Sequence, residues 1–121
     1  MKIAGKTDLE ILGMSVSGAG DVNNDGIDDV IVGVPRGSGT AGTAYVIFGS
    51  KTFPLEIVPG NGLAPSKGFS IIGISPSDFL GFSVSCAGDM NGDGMDDVIV
   101  GANGVDTSAG AAYLLFSERN N

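Results

Sequence analysis

Hydrophobic residues in this chain come in short runs separated by Gly, Pro, Asn, Asp and Ser. SVS at 15–17, and again at 83–85, alternates polar and apolar positions between glycines, the pattern of a half-buried strand. DVIVG at 29–33 and 97–101 is an unbroken β-branched run, expected of a strand covered on both faces. AYVIF at 44–48 and AYLLF at 112–116 are runs of the same kind, and FSIIG at 69–73 is a fourth strand. Gly or Pro interrupts every window long enough to hold a helix, so the pattern predicts an all-β fold with roughly four strands to a unit.

The pattern is written twice. Placing residue 1 over residue 69, a shift of 68, gives 24 identities in 50 positions without a gap. GMSVSGAGDVNNDGIDDVIVG (13–33) lies over GFSVSCAGDMNGDGMDDVIVG (81–101), and AGTAYVIF (41–48) over AGAAYLLF (109–116). The fourth strand FSIIG then falls on MKIAG at 1–5, while 51–68 has no second copy. A length of 121 residues suits one small domain. The expected organisation is a single domain, 1–121, of two repeats (1–53 and 69–121), with a linker and an outer strand in 51–73.

Charge changes this picture only locally. The net charge is -8, and eight of the 14 acidic residues lie in 21–29 and 89–97. Counting from Asp21, oxygen-bearing side chains fall at loop positions one, three and five: Asp21, Asn23 and Asp25. Gly26 occupies position six, where a sharp turn is needed; Ile27 at seven offers a backbone carbonyl, and Asp29 at nine closes the set. Asp89, Asn91, Asp93, Gly94, Met95 and Asp97 repeat the arrangement. Alternate oxygens around a tight turn converge on one point, and an all-oxygen set with three carboxylates suits Ca²⁺ better than Mg²⁺. The expectation is two Ca²⁺ per chain.

An EF-hand is excluded because position twelve is Val32 or Val100, inside a strand-like run, where that motif needs a Glu leading into a helix. The plainer alternative is a pair of Asx-type turns that bind nothing. Mutual repulsion of four carboxylates in nine residues, in both copies, argues for a cation instead. Asp28 and Asp96, at position eight, are expected to point outward and not to ligate.

Other chemistry is sparse. There is no His, which removes imidazole as base, zinc ligand or pH switch. Cys86 is the only cysteine and reads as a small buried residue. Ser15, Ser17, Ser83 and Ser85 fall in strand alternation, and the paired carboxylates are engaged by the metal, so no catalytic residue and no enzyme is expected. Six Lys and Arg, scattered along the chain, give no footprint for nucleic acid. No apolar run is long enough to span a membrane, and the N-terminus has no signal-peptide core.

The residues LGMSVSGAGDVNNDGIDDVIVGVP (12–35) and LGFSVSCAGDMNGDGMDDVIVGAN (80–103), each followed by AGTAYVIFG or AGAAYLLFS, resemble the FG-GAP repeats of the integrin α-subunit β-propeller and related bacterial surface proteins. Leu12 and Leu80 stand where the family has the Phe of "FG"; Val34 and Asn103 replace the Ala and Pro of "GAP". The resemblance implies four-stranded antiparallel propeller blades with a structural Ca²⁺ in the hairpin between the first two strands. It carries over Asp21, Asn23, Asp25, the Ile27 carbonyl and Asp29, then Asp89, Asn91, Asp93, the Met95 carbonyl and Asp97. It also implies a non-catalytic scaffold or adhesion module of an extracellular or cell-surface protein, with any protein or glycan ligand at the diverged loops 35–40, 51–68 and 103–108. A purely architectural or engineered two-blade unit without a ligand is the alternative, and an accessory domain of a hydrolase a third.

Propellers have about four to eight blades, so two blades leave sheet faces and edges uncovered. The second repeat stops after its third strand, and residues 1–5 match the fourth. The expectation is a homo-oligomer in which each N-terminal strand completes the last blade of a neighbour, three or four chains closing a ring.

Overall fold

The two copies of the sequence form two copies of one antiparallel meander. In the computed structural model, which describes residues 1–7, 9–105 and 109–117, the strands are β1 (Lys2–Ile3), β2 (Ser15–Gly20), β3 (Asp29–Val34), β4 (Thr43–Ile47), β5 (Glu56–Ile57), β6 (Gly68–Ile72), β7 (Leu80–Gly88), β8 (Asp97–Ala102) and β9 (Ala111–Leu115). The first sheet has the order β2-β3-β4-β6 and the second β7-β8-β9. These are the all-β blades expected of the propeller architecture, one with four strands and one with three.

Register repeats as faithfully as sequence. Ser15 faces Gly33 and Val16 faces Val32 in the first sheet; Ser83 faces Gly101 and Val84 faces Val100 in the second. Both first strands bulge at the same place, between Gly18 and Gly20 and between Cys86 and Gly88. Gly20 (φ 68°) and Gly88 (φ 71°) turn the bulge in left-handed backbone, where a Cβ is disfavoured.

The core lies between the sheets. Ala19, Val22, Ile31, Ala44 and Val46 of the first blade meet Leu80, Val98, Val100 and Ala102 of the second, all at most 4% exposed. Burying a side chain the size of Ile31 contributes about 2–3 kcal/mol. The expectation that both DVIVG runs are covered on both faces holds in part: Ile31 and Val32, on opposite faces of β3, are both buried, but Val30 remains 40% exposed and Ile99 38%.

The N-terminus finds a partner within its own chain. Residues 1–5 align with the fourth strand, yet β1 pairs in parallel with β5 inside the same chain. The Lys2 N–H donates to the Leu55 carbonyl at 2.7 Å and the Ala4 N–H to the Ile57 carbonyl at 2.9 Å, so these backbone groups find acceptors in the insert. The insert also holds a short 3-10 turn, Pro59–Asn61. Among the described residues no strand pairs with the outer edge of β9.

Candidate metal centre

Each acidic loop is the hairpin between the first two strands of its blade. The left-handed positions match: Asn24 (φ 59°) and Gly26 (φ 83°) in one loop, Gly92 (φ 76°) and Gly94 (φ 87°) in the other. Asn and Gly are the residues that enter this region at least cost.

Position one organises the turn. Asp21 accepts the Asp25 N–H at 3.1 Å and the Gly26 N–H at 2.7 Å. Asp89 accepts from Gly92 (2.8 Å), Asp93 (3.1 Å) and Gly94 (2.8 Å). The Gly94 N–H, helped by those of Gly92 and Asp93, holds the Asp89 carboxyl below its ordinary pKa, against a smaller opposing effect of burial. At position five, Asp25 accepts the Ile27 N–H at 2.9 Å and Asp93 the Met95 N–H at 3.0 Å. At position three, Asn23 donates to Asp25 at 3.3 Å, while Asn91 accepts the Asp93 N–H at 3.4 Å. Of the two position-seven residues, Met95 is buried and Ile27 half-buried.

Position nine lies beneath the loop. Asp29 (2% exposed) accepts the Val22 N–H at 2.9 Å with one oxygen and the Gly49 N–H at 2.8 Å with the other. Asp97 (0% exposed) does the same with Met90 and Ser117, both at 2.9 Å. Each carboxylate therefore straps the start of its loop to the end of the third strand of its blade. Burial pushes the Asp29 carboxyl above its ordinary pKa; the Gly49 and Val22 N–H groups pull it down, and the Asp25 and Asp21 charges push it up slightly. Sequence spacing places Asp29 and Asp97 in the ligand set. That they also tie two distant backbone segments is invisible there, because Gly49 and Ser117 are each 20 residues away.

At position eight the copies part. Asp28 is exposed, as expected, but Asp96 turns toward the first blade and accepts the Asp21 N–H at 2.9 Å. The expectation that Asp96 points outward is corrected; a neighbouring loop supplies a donor for Asp96 and none for Asp28.

The donor set fits a hard cation in kind: carboxylate, amide and carbonyl oxygens at alternate positions of an exposed hairpin. Among the described residues no three Asp, Glu, Cys or His side chains converge into a cage. The carboxylates accept N–H bonds from their own loops, yet each singly bonded oxygen retains a lone pair. Asn23, Asp25, Asn91 and Asp93 are exposed and free to turn. The one ion pair among the described residues joins Lys2 to Glu56 (3.6 Å), so none of the described Lys or Arg side chains neutralises either loop.

The sequence profile described as FG-GAP repeat matches residues 12–47 and 81–115, which hold both loops and the first three strands of each blade. Integrin alpha pat-2 of Caenorhabditis briggsae is 42% identical over 91 residues, covering 74% of this chain and 7% of that protein. Integrin alpha-5 of Xenopus laevis is 31% identical over 106 residues, 88% of this chain and 10% of its own length. Integrin alpha-2 of Bos taurus is 34% identical over 92 residues, with 76% and 8% covered. The chain thus spans a tenth or less of these relatives.

Proposed function

Because the chain belongs to the FG-GAP repeat family, we propose that it is a non-catalytic, calcium-stapled pair of β-propeller blades acting as an adhesion-type binding module at the cell surface. One observation carries the calcium reading. Two loops 68 residues apart share one backbone path, cluster eight carboxylates and have no basic partner among the described residues. A bound Ca²⁺ would offset that repulsion and staple the first strand of each blade to the second, held by Asp21, Asn23, Asp25, the Ile27 carbonyl and Asp29, and by Asp89, Asn91, Asp93, the Met95 carbonyl and Asp97. The uncovered faces of both blades support assembly with further copies into a ring, three or four chains giving six or eight blades. Protein or glycan ligands would meet the diverged loops 35–40, 51–68 and 103–108, of which residues 106–108 lie outside the described structure. The extracellular setting rests on the relatives being integrin alpha proteins.

Calcium titration by calorimetry, paired with thermal melts in Ca²⁺ and in EDTA, tests this. Two sites per chain are expected. Saturation at one hundred times Kd would add about 2.7 kcal/mol per site, raising Tm by roughly 3–6 °C per kcal/mol for a domain of this size. Asp25→Ala and Asp93→Ala should each abolish one site. No binding heat together with an unchanged melt would overturn the calcium reading.

A further inference from the structure

The junction between the two blades is built from a small set of contacts. The Ser15 hydroxyl donates to the Gly81 carbonyl at 2.8 Å. The Asp21 N–H donates to the Asp96 carboxylate at 2.9 Å, and the Asp96 N–H returns a longer bond to the Asp21 carbonyl at 3.4 Å. Two glycines make room: a Cβ on Gly20 would overlap the Asp96 carboxylate, and one on Gly33 would overlap the Gly81 carbonyl and the Ser15 hydroxyl. Behind this polar seam Ile31 and Val22 of the first blade share one buried cluster with Val98 and Val100 of the second.

Moving these residues by 68 positions lands on the two outer faces, where most of the same chemistry stands without a partner; the exception is Val32, the equivalent of Val100, which is 4% exposed. Ile31 is 0% exposed and Val22 4%, but their equivalents Ile99 and Met90 are 38% and 59% exposed on the far face of the second blade. Val98 is 2% exposed and its equivalent Val30, on the far face of the first blade, 40%. Val84 is partly buried against the core, whereas its equivalent Val16 is 64% exposed. Ser15 and Asp21 become Ser83 and Asp89; Gly81 and Asp96 become Gly13 and Asp28. Gly88, the equivalent of Gly20, faces open space with nothing within 4 Å of where a Cβ would sit, and so does Gly13. Among the described residues neither the Ser83 hydroxyl nor the Asp28 carboxylate has a hydrogen-bond partner.

We infer that the far face of the second blade docks on the far face of the first blade of a second copy of this chain, through a latch equivalent to the internal junction. In it the Asp28 carboxylate of one copy accepts the Asp89 N–H of the next, the Ser83 hydroxyl donates to the Gly13 carbonyl, and Ile99 and Met90 cover Val30 and Val16. The inference rests on the reading of the chain as part of a propeller ring and specifies its interface. Each copy contributes a different face, so the contact is heterologous and propagates until the ring closes. The occupant is a copy of this chain because the internal junction shows these side chains and bonds meeting one another, and both halves of the match are present in one sequence.

Sedimentation equilibrium of the whole chain in calcium, over a wide concentration range, reads the interface directly. Wild type should run at multiples of 12.1 kDa. Asp28→Ala removes the acceptor, and loss of a charge-assisted bond should weaken the dissociation constant about tenfold or more. Lowering the negative charge of a chain at -8 would by itself favour association, so weakening here reports the specific bond. Gly88→Asn keeps a residue that tolerates left-handed backbone but places a Cβ where the docked Asp28 carboxylate belongs; it too should weaken association, with an unchanged circular dichroism spectrum. A wild type that stays monomeric overturns both this inference and the ring reading. A wild type that associates while both variants associate equally well overturns the latch alone and leaves the ring standing.

Discussion

Replacing Asp97 with alanine separates a structural role for the position-nine carboxylate from a role as metal ligand. The carboxylate is fully buried and accepts the Met90 and Ser117 N–H groups, so the variant leaves both donors without their acceptor. Hydrogen bonds to a charged group contribute about 1.5–3 kcal/mol each, and an orphaned buried N–H costs about 1–3 kcal/mol. Against this stands the relief of no longer holding a carboxylate out of water, a cost of several kcal/mol. The expected net loss is about 3 kcal/mol, a large share of a domain's usual 5–15 kcal/mol. Asp97→Asn keeps one acceptor and turns an amide donor toward the other N–H; about half to two thirds of that loss is expected. Urea unfolding followed by circular dichroism in EDTA is the assay, since chelation removes any ligand role. With m of about 1–3 kcal/mol/M the midpoint should fall by roughly 1–3 M. Asp93→Ala is the comparison: its carboxylate is exposed and bonds only within its own turn, to the Met95 N–H, so less than about 1 kcal/mol is expected without metal. If Asp97→Ala costs under about 1 kcal/mol in EDTA but destabilises strongly in calcium, the strap argument is wrong.

Two further predictions follow from the same geometry. Gly33→Ala should cost about 1–3 kcal/mol, because a Cβ there meets the Gly81 backbone carbonyl as well as the Ser15 hydroxyl, whereas Gly101→Ala meets only the Ser83 hydroxyl and should cost less than about 1 kcal/mol in dilute monomer; equal losses in thermal melts would show that blade-to-blade approach is not what requires Gly33. For Asp89, the folded pKa is lowered, so its contribution to stability is present above the ordinary value of 3.8 and is lost as pH falls through the lowered pKa. Asp89→Asn should therefore be less stable than wild type near neutral pH in metal-free buffer, with the gap closing under strong acid; a gap independent of pH would refute this. Asp29 has the opposite sign, its raised pKa favouring the protonated form in the fold, so the difference between Asp89→Asn and wild type isolates the one group.

Much of the fold was legible because β-strand signals here are local. The runs at 29–33, 44–48 and 69–73 and their copies became β3, β4, β6, β8 and β9 with one-residue differences at their ends. The turns of the two acidic loops were equally legible, since left-handed backbone at Gly26 and Gly94 and the bonds from those N–H groups to Asp21 and Asp89 depend on nothing beyond nine consecutive residues. What was not legible was anything set by which neighbour a residue meets. Residues 1–5 carry the alignment of a fourth strand, yet within the chain their N–H groups pair with the insert. Asp28 and Asp96 are the same residue at the same loop position, and only one of them bonds to an adjacent blade.

The sequence alone determines the repeat, the strands within it and the acidic hairpins, because each follows from side-chain alternation, turn residues or charge within a short window. The tertiary structure alone decides that Ile31 is sealed while Ile99 faces solvent, that Asp97 ties its loop to the end of β9, and that Asp96 bridges two blades. Identical segments acquire different burial and different partners only when a sheet is laid against one face of them and not against the other.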